Sequence, residues 1–145
     1  MNKPESYLAE LIMEVVPKTM QSIRQDMRKE RGELTITQFR MLANVRQGVC
    51  NNKELGEKLG VSEAAVSRMI DLLVQEKLIK KIVNEDDRRN KVLSLTANGK
   101  KLYEKITASA RGRLTVKLEA LDKKDREAAI LGLEVLRNHL EIFKQ

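Results

Sequence analysis

The sequence predicts a mainly α chain with a small β component (α+β): a winged helix-turn-helix with a short β-hairpin wing, flanked by N- and C-terminal dimerisation helices. Three observations carry this expectation. Between Asn51 and Lys77 two short helical patterns are joined by a tight glycine turn. From Leu78 to Val83 the chain switches to β-branched and basic residues, and Val92 to Leu95 answers it after a charge-dense tip, Glu85-Asp86-Asp87-Arg88-Arg89-Asn90. On both sides of this block lie long stretches with apolar residues at helical spacing.

Taken in order, Leu8, Leu11, Ile12, Val15, Val16, Met20, Ile23 and Met27 form the stripe of a long first helix. Pro17 removes one ladder hydrogen bond and can kink it, and Gly32 ends it. Thr35 or Thr37 caps a second helix carrying Phe39, Met41, Leu42 and Val45, which ends near Gly48. Asn51 or Asn52 caps a third, Lys53 to Leu59, closed by Gly60 in the left-handed region. Ser62 opens a fourth that runs to about Lys77 and places Val66, Met69, Ile70 and Leu73 on one buried face. After the hairpin, Thr96 caps a fifth helix with Leu102, Ile106, Ala110, Leu114, Leu118 and Leu121, weakest at Gly112. Asp122 caps a sixth with Ala129, Leu133, Leu136, Leu140 and Phe143 on one stripe.

A chain of 145 residues, 41% apolar and 34% charged, fits one soluble domain, 1–145. Residues 31–96 form its winged helix-turn-helix lobe, and 1–30 with 97–145 a helical dimerisation lobe. A formal net charge of +7 favours a polyanionic partner. No apolar run approaches the roughly 20 residues that span a bilayer, and the N-terminus lacks a secretory pattern, so a cytoplasmic protein with no membrane partner is expected. One cysteine, Cys50, and one histidine, His139, make a dedicated metal site improbable, and no cofactor is expected. No glycine-rich phosphate loop, serine elbow or ligand cluster suggests an enzyme. The first helix and the last two carry more apolar surface than so small a globule can bury alone, and a two-fold dimer uses it economically. Such a dimer sets two recognition helices roughly 34 to 36 Å apart, matching a near-palindromic site on double-stranded DNA.

The runs Leu34-Thr35-Ile36-Thr37-Gln38-Phe39 and Glu54-Leu55-Gly56-Glu57-Lys58-Leu59-Gly60-Val61-Ser62 resemble the MarR/SlyA family of bacterial winged helix-turn-helix transcription regulators. So do Val66-Ser67-Arg68-Met69-Ile70-Asp71-Leu72-Leu73, then Asp87-Arg88-Arg89 and Leu95-Thr96-Ala97-Asn98-Gly99. The resemblance spans Leu34 to about Leu102. It implies a homodimer that binds DNA, commonly a repressor released by a small aromatic ligand or by oxidation, with an effector cleft lined from the first, second and fifth helices. Two positions depart from the pattern. Glu76-Lys77-Leu78 stands where a glycine often follows the recognition helix, and Gly56 where the third helix often has alanine.

On the fourth helix Ala64, Ser67 or Arg68, Asp71 and Gln75 lie opposite the apolar stripe, so this face would enter the major groove. Arg68 is the base-reading candidate, since a guanidinium can donate twice to guanine O6 and N7. Its bland alternative is a solvated arginine pairing with Asp71 or a phosphate. Ser62 combines a capping role with phosphate contact, and Ser67 is a weaker candidate of the same kind. The resemblance places Arg89 in the minor groove, oriented by Asp87 with Arg88 beside it, although both arginines could simply offset the acidic residues of a solvated loop. Lys80, Lys81 and Lys91 suit non-specific phosphate attraction or plain solubility. Cys50, just before a helix N-terminus, invites a redox-switch reading, but packing is the stronger one, and His139 reads as a packed or rim residue. The expected function is a homodimeric, sequence-specific DNA-binding regulator, a repressor more readily than an activator. A winged-helix protein-interaction module without its own operator is the alternative.

Overall fold

The structure, a computed structural model, describes residues 3–83, 85–87 and 91–143, without the side chain of Phe143. Its elements are α1 (Pro4–Arg31), α2 (Ile36–Arg46), α3 (Asn52–Leu59), α4 (Glu63–Gln75), β1 (Ile79–Val83), β2 (Lys91–Leu95), α5 (Ala97–Leu118), α6 (Lys123–His139) and a 3₁₀ turn, Glu141–Phe143. The chain divides into two compact units, 1–110 and 111–145.

In the first unit the helix starts follow from side-chain chemistry. Thr35 accepts from the Gln38 backbone N–H while the Gln38 side chain accepts from the Thr35 N–H, a reciprocal cap. Of the two asparagines before α3 it is Asn51 that caps, its Oδ1 taking the N–H groups of Lys53 and Glu54 at 2.8 and 3.2 Å. Ser62 Oγ accepts from Ala65 N at 3.1 Å. Pro17 does not split α1, which runs through it as one helix.

The principal core joins α2, α3, α4 and the hairpin, with Met41, Leu42, Leu55, Val66, Ile70 and Leu73 almost fully buried. β1 and β2 pair antiparallel, from Ile79 opposite Leu95 to Val83 opposite Lys91. Ile79, Leu93 and Leu95 turn one face of this ribbon into the core. A second cluster, Met27, Phe39, Ile106 and Ala110, ties α1 and the first part of α5 to α2. Phe39 and Tyr103 stack with ring centroids 5.3 Å apart, and the Arg46 guanidinium lies 5.1 Å from the centre of the Tyr103 ring. Elsewhere α1 leaves Tyr7, Leu8, Leu11, Val15, Val16 and Met20 exposed.

In the second unit, Asp122 caps α6 by accepting from Asp125 N at 2.8 Å. None of the described residues of α6 is buried. Leu121 falls after α5 and Leu140 after α6, so both stripes are shorter than the sequence pattern suggests.

The fourth helix, α4, also ends early, at Gln75, shortly before Lys77 with its φ of 59°. This is the position where a glycine would be at ease, and a lysine there carries the steric cost of the left-handed region. The conformation is held from outside. The Thr96 hydroxyl donates to Lys77 O and accepts from Gly99 N, and Thr96 N donates to Leu78 O at 3.1 Å. A Cβ on Gly99 would stand 2.1 Å from the Leu78 carbonyl oxygen. Lys77→Gly is therefore expected to stabilise the protein by about 0.5–1 kcal/mol. Gly99→Ala should destabilise it by at least about 2 kcal/mol, both read from urea unfolding curves.

Candidate nucleic-acid interface

The helix-turn-helix is closed by two glycines with different tasks. Gly60 adopts φ 70° and ψ 33°, which turns the chain out of α3. Gly56 lets the turn fold back: Val61 N donates to Gly56 O at 3.0 Å, and a Cβ on Gly56 would lie only 2.7 Å from Val61 O. Arg40 of α2 donates to Lys58 O at 2.7 Å, which satisfies a carbonyl in the last turn of α3.

With Val66, Ile70 and Leu73 buried, α4 turns Ala64, Ser67, Arg68, Asp71 and Gln75 outward, and all five are exposed. Ser62 is exposed at the start of the same helix, with its hydroxyl proton still able to serve a phosphate. Among the described residues no ion pair joins Arg68 to Asp71. Asp87 is exposed in the hairpin tip and has an interaction partner. Arg88 and Arg89 lie outside the described residues.

Lys80 and Lys81 are exposed, as phosphate attraction requires, but Lys91 is not. It is half-buried and its ammonium donates to Asn52 Oδ1. Asn52 Nδ2 in turn donates to Ser67 Oγ at 2.8 Å, so Ser67 is tied inward as well as facing out. Burial lowers the Lys91 pKa from 10.5, Lys81 adds repulsion, and Cys50 and Asp71 offset part of this. Sequence reasoning missed this group although a signal existed: Lys91 is in phase with the inward-facing Leu93 and Leu95.

Cys50 packs against the principal core, with Leu93 N donating to its Sγ at 3.5 Å and its Sγ directed at Gly48 O at 3.5 Å. His139 is exposed, its Nδ1 2.9 Å from Val135 O. Among the described residues no group of three or more His, Cys, Asp or Glu could hold a metal, and no helix is long and apolar enough to cross a membrane.

Comparison with known proteins fits this geometry. Residues 34–91, the span from just before the second helix to the first residue of β2, match the MarR family. The chain carries a MarR family domain. It is 30% identical over 105 residues to the HTH-type transcriptional regulator YfiV of Bacillus subtilis, covering 72% of this chain and 65% of YfiV. It is 29% identical over 119 residues to the HTH-type transcriptional repressor MdtR of the same organism, covering 81% of this chain and 73% of MdtR. Several other MarR relatives are spanned over only about half of their length, 51%. YfiV and MdtR carry the names of a transcriptional regulator and a transcriptional repressor. Among solved structures, RV1404 of Mycobacterium tuberculosis superposes with a TM-score of 0.77 at 22% identity over 95% of both chains, a likeness of fold.

The lowered pKa of Lys91 has a measurable consequence. In the folded state this lysine releases its proton at a lower pH than in the unfolded chain, so between the two values the unfolded state binds more protons. Stability should rise with pH through that alkaline window below 10.5 and level off on either side. Urea unfolding of the wild type and of Lys91→Met across this range checks it, the difference between the two curves carrying the slope.

Proposed function

We propose that this protein is a homodimeric, sequence-specific double-stranded DNA-binding transcription regulator that acts as a repressor. The observation that carries this reading is the outward polar face of α4, held on a closed helix-turn-helix beside the hairpin that leads to Asp87-Arg88-Arg89. Arg68 would read a base edge in the major groove, Ser62 and Ser67 would meet phosphates, and Arg89 would enter the neighbouring minor groove. The name of MdtR supports the repressor sign. Dimerisation is supported by the second unit, where Ile130, Leu131 and Leu133 of α6 are 51 to 69% exposed. There Leu118, Leu121, Ala129, Ile130 and Leu133 line an apolar depression of about 490 Å³. A surface of this kind marks an interaction site.

A fragment of the protein's own promoter should bind two protomers and outcompete random duplex at moderate salt; equal affinity for both would overturn the reading. Arg68→Ala should lose roughly 1 to 3 kcal/mol of that discrimination while keeping non-specific binding. Arg89→Ala should weaken binding to every duplex and make the salt dependence shallower by about one counterion.

A small-molecule effector is favoured by a specific feature of the first unit. A cavity of about 360 Å³ is walled by Leu34, Leu72, Leu73, Leu78 and Leu102 and bordered by Arg31, Gln38, Glu33 and Glu76. Arg31 Nε is itself buried, and among the described residues it has no hydrogen-bond partner. A buried donor without an acceptor costs free energy that a ligand oxygen would recover. The two neighbouring carboxylates favour a neutral or zwitterionic aromatic molecule over a simple anion. In a thermal-shift screen of small aromatic compounds, a hit should raise the wild-type melting temperature and lower DNA affinity. Arg31→Met should abolish both effects, and a shift retained by that variant would place the ligand elsewhere.

A further inference from the structure

Lys91, Asn52 and Ser67 form one hydrogen-bonded series across three elements: the tip end of β2, the first turn of α3 and the middle of α4. We infer that Asn52 is a positioning residue for DNA recognition, fixing the outward face of α4 in register with the wing so that major-groove and minor-groove contacts keep one spacing. The inference rests on the DNA-binding reading above and concerns a residue that touches no DNA in it.

The chemistry leaves Asn52 a single arrangement. An ammonium can only donate, so the amide oxygen must face Lys91, which leaves the amide nitrogen to donate to Ser67. Rotating the amide would set its nitrogen against the ammonium and lose the Lys91 bond, whereas the Ser67 hydroxyl could still donate to the amide oxygen. Asn52 is also not required as a cap, because Asn51 performs that task with its own side chain. Its side chain is thus released for a bridge to partners 15 and 39 residues further along the chain.

Lys91 sits at the right place to transmit position. It pairs with Val83 at the last described rung of the hairpin, immediately before the tip that carries the charged residues. Further along the same strand Leu93 and Leu95 are anchored in the core, and Leu93 N bonds to Cys50 Sγ, so β2 is held at its base by packing and at its far end by Asn52. A two-stranded ribbon is pliable along its length, and without the outer tie its tip would sample a range of distances from α4. Drawing the Lys91 ammonium inward removes a charge from phosphate attraction and assigns it to geometry.

The test uses the full chain with Asn52→Ala, Lys91→Met and the double variant. It measures the ratio of affinities for the promoter operator and for random duplex, together with the salt slope of each. Each single variant should lower the ratio about tenfold, and the double variant should lower it no further, because all three break the same series. Salt slope and random-duplex affinity should stay at wild-type values. The inference is overturned if Asn52→Ala leaves the ratio unchanged, if the two losses multiply in the double variant, or if Lys91→Met flattens the salt slope as a direct phosphate contact would. Wild-type protein that fails to prefer its operator would instead overturn the DNA-binding reading and this inference with it.

Discussion

Everything that the first unit presents to a partner depends on the knot at Lys77, Leu78, Thr96 and Gly99. Here the end of the recognition helix, both ends of the wing and the start of α5 meet within four residues. Leu78 N donates to Leu73 O at 2.9 Å, closing the helix, and Leu78 O accepts from Thr96 N. Thr96 then uses its hydroxyl twice, as donor to Lys77 O and as acceptor from Gly99 N. Because Gly99 has no Cβ, α5 can start against the Leu78 carbonyl. One threonine and one glycine therefore impose a left-handed conformation on a lysine, and the direction in which the wing leaves α4 follows from that conformation. The strain is small next to the bonds that enforce it, which is why the position can dispense with a glycine.

The same logic of close approach governs the other side of α4. Gly56 admits the Val61 carbonyl, and a Cβ at this position would also meet Val66 Cγ2 at 3.7 Å. With α4 pressed onto α3 and the core beneath it, its rotation about its own axis is fixed by Val66, Ile70 and Leu73. The set of outward residues is then a geometric consequence of the buried set, offset by the helical period. Arg68 faces out because Ile70 and Val66 face in.

Much of this was readable in the chain. The caps at Thr35, Asn51, Ser62 and Asp122 are local, since a side-chain oxygen and a backbone N–H three residues away decide them. The apolar face of α4 and the alternation in β2 are equally local. The end of α4 was placed too late because no intrinsic preference puts a lysine at a positive φ; the decision is taken by Thr96, nineteen residues away. Lys91 was legible in principle from its phase with Leu93, but its charge argued for solvent, and only the acceptor on Asn52 reverses that argument. Arg31 was not legible at all. Whether its Nε loses water depends on how the folded chain closes around it, and sequence spacing does not encode that closure.

The two units solve the problem of apolar surface differently, and this bears on how a dimeric regulator would behave. The first closes a core of its own, with side chains such as Met41, Leu55 and Val66 wholly removed from water. The second caps its helix well yet buries nothing on it, leaving Leu131, Leu133 and Ile142 63 to 72% exposed. Helix propensity and a capping aspartate do not sustain a short helix in water, so the stability of α6 must come from burial against something else. If that partner is a second copy, folding of the second unit and assembly are one equilibrium, and its stability depends on protein concentration. A dilute cell would then hold protomers whose reading heads are formed but unpaired. A single head binding half a site gains none of the effective concentration that joins two heads on one duplex, so occupancy of an operator would fall steeply below the dimerisation threshold.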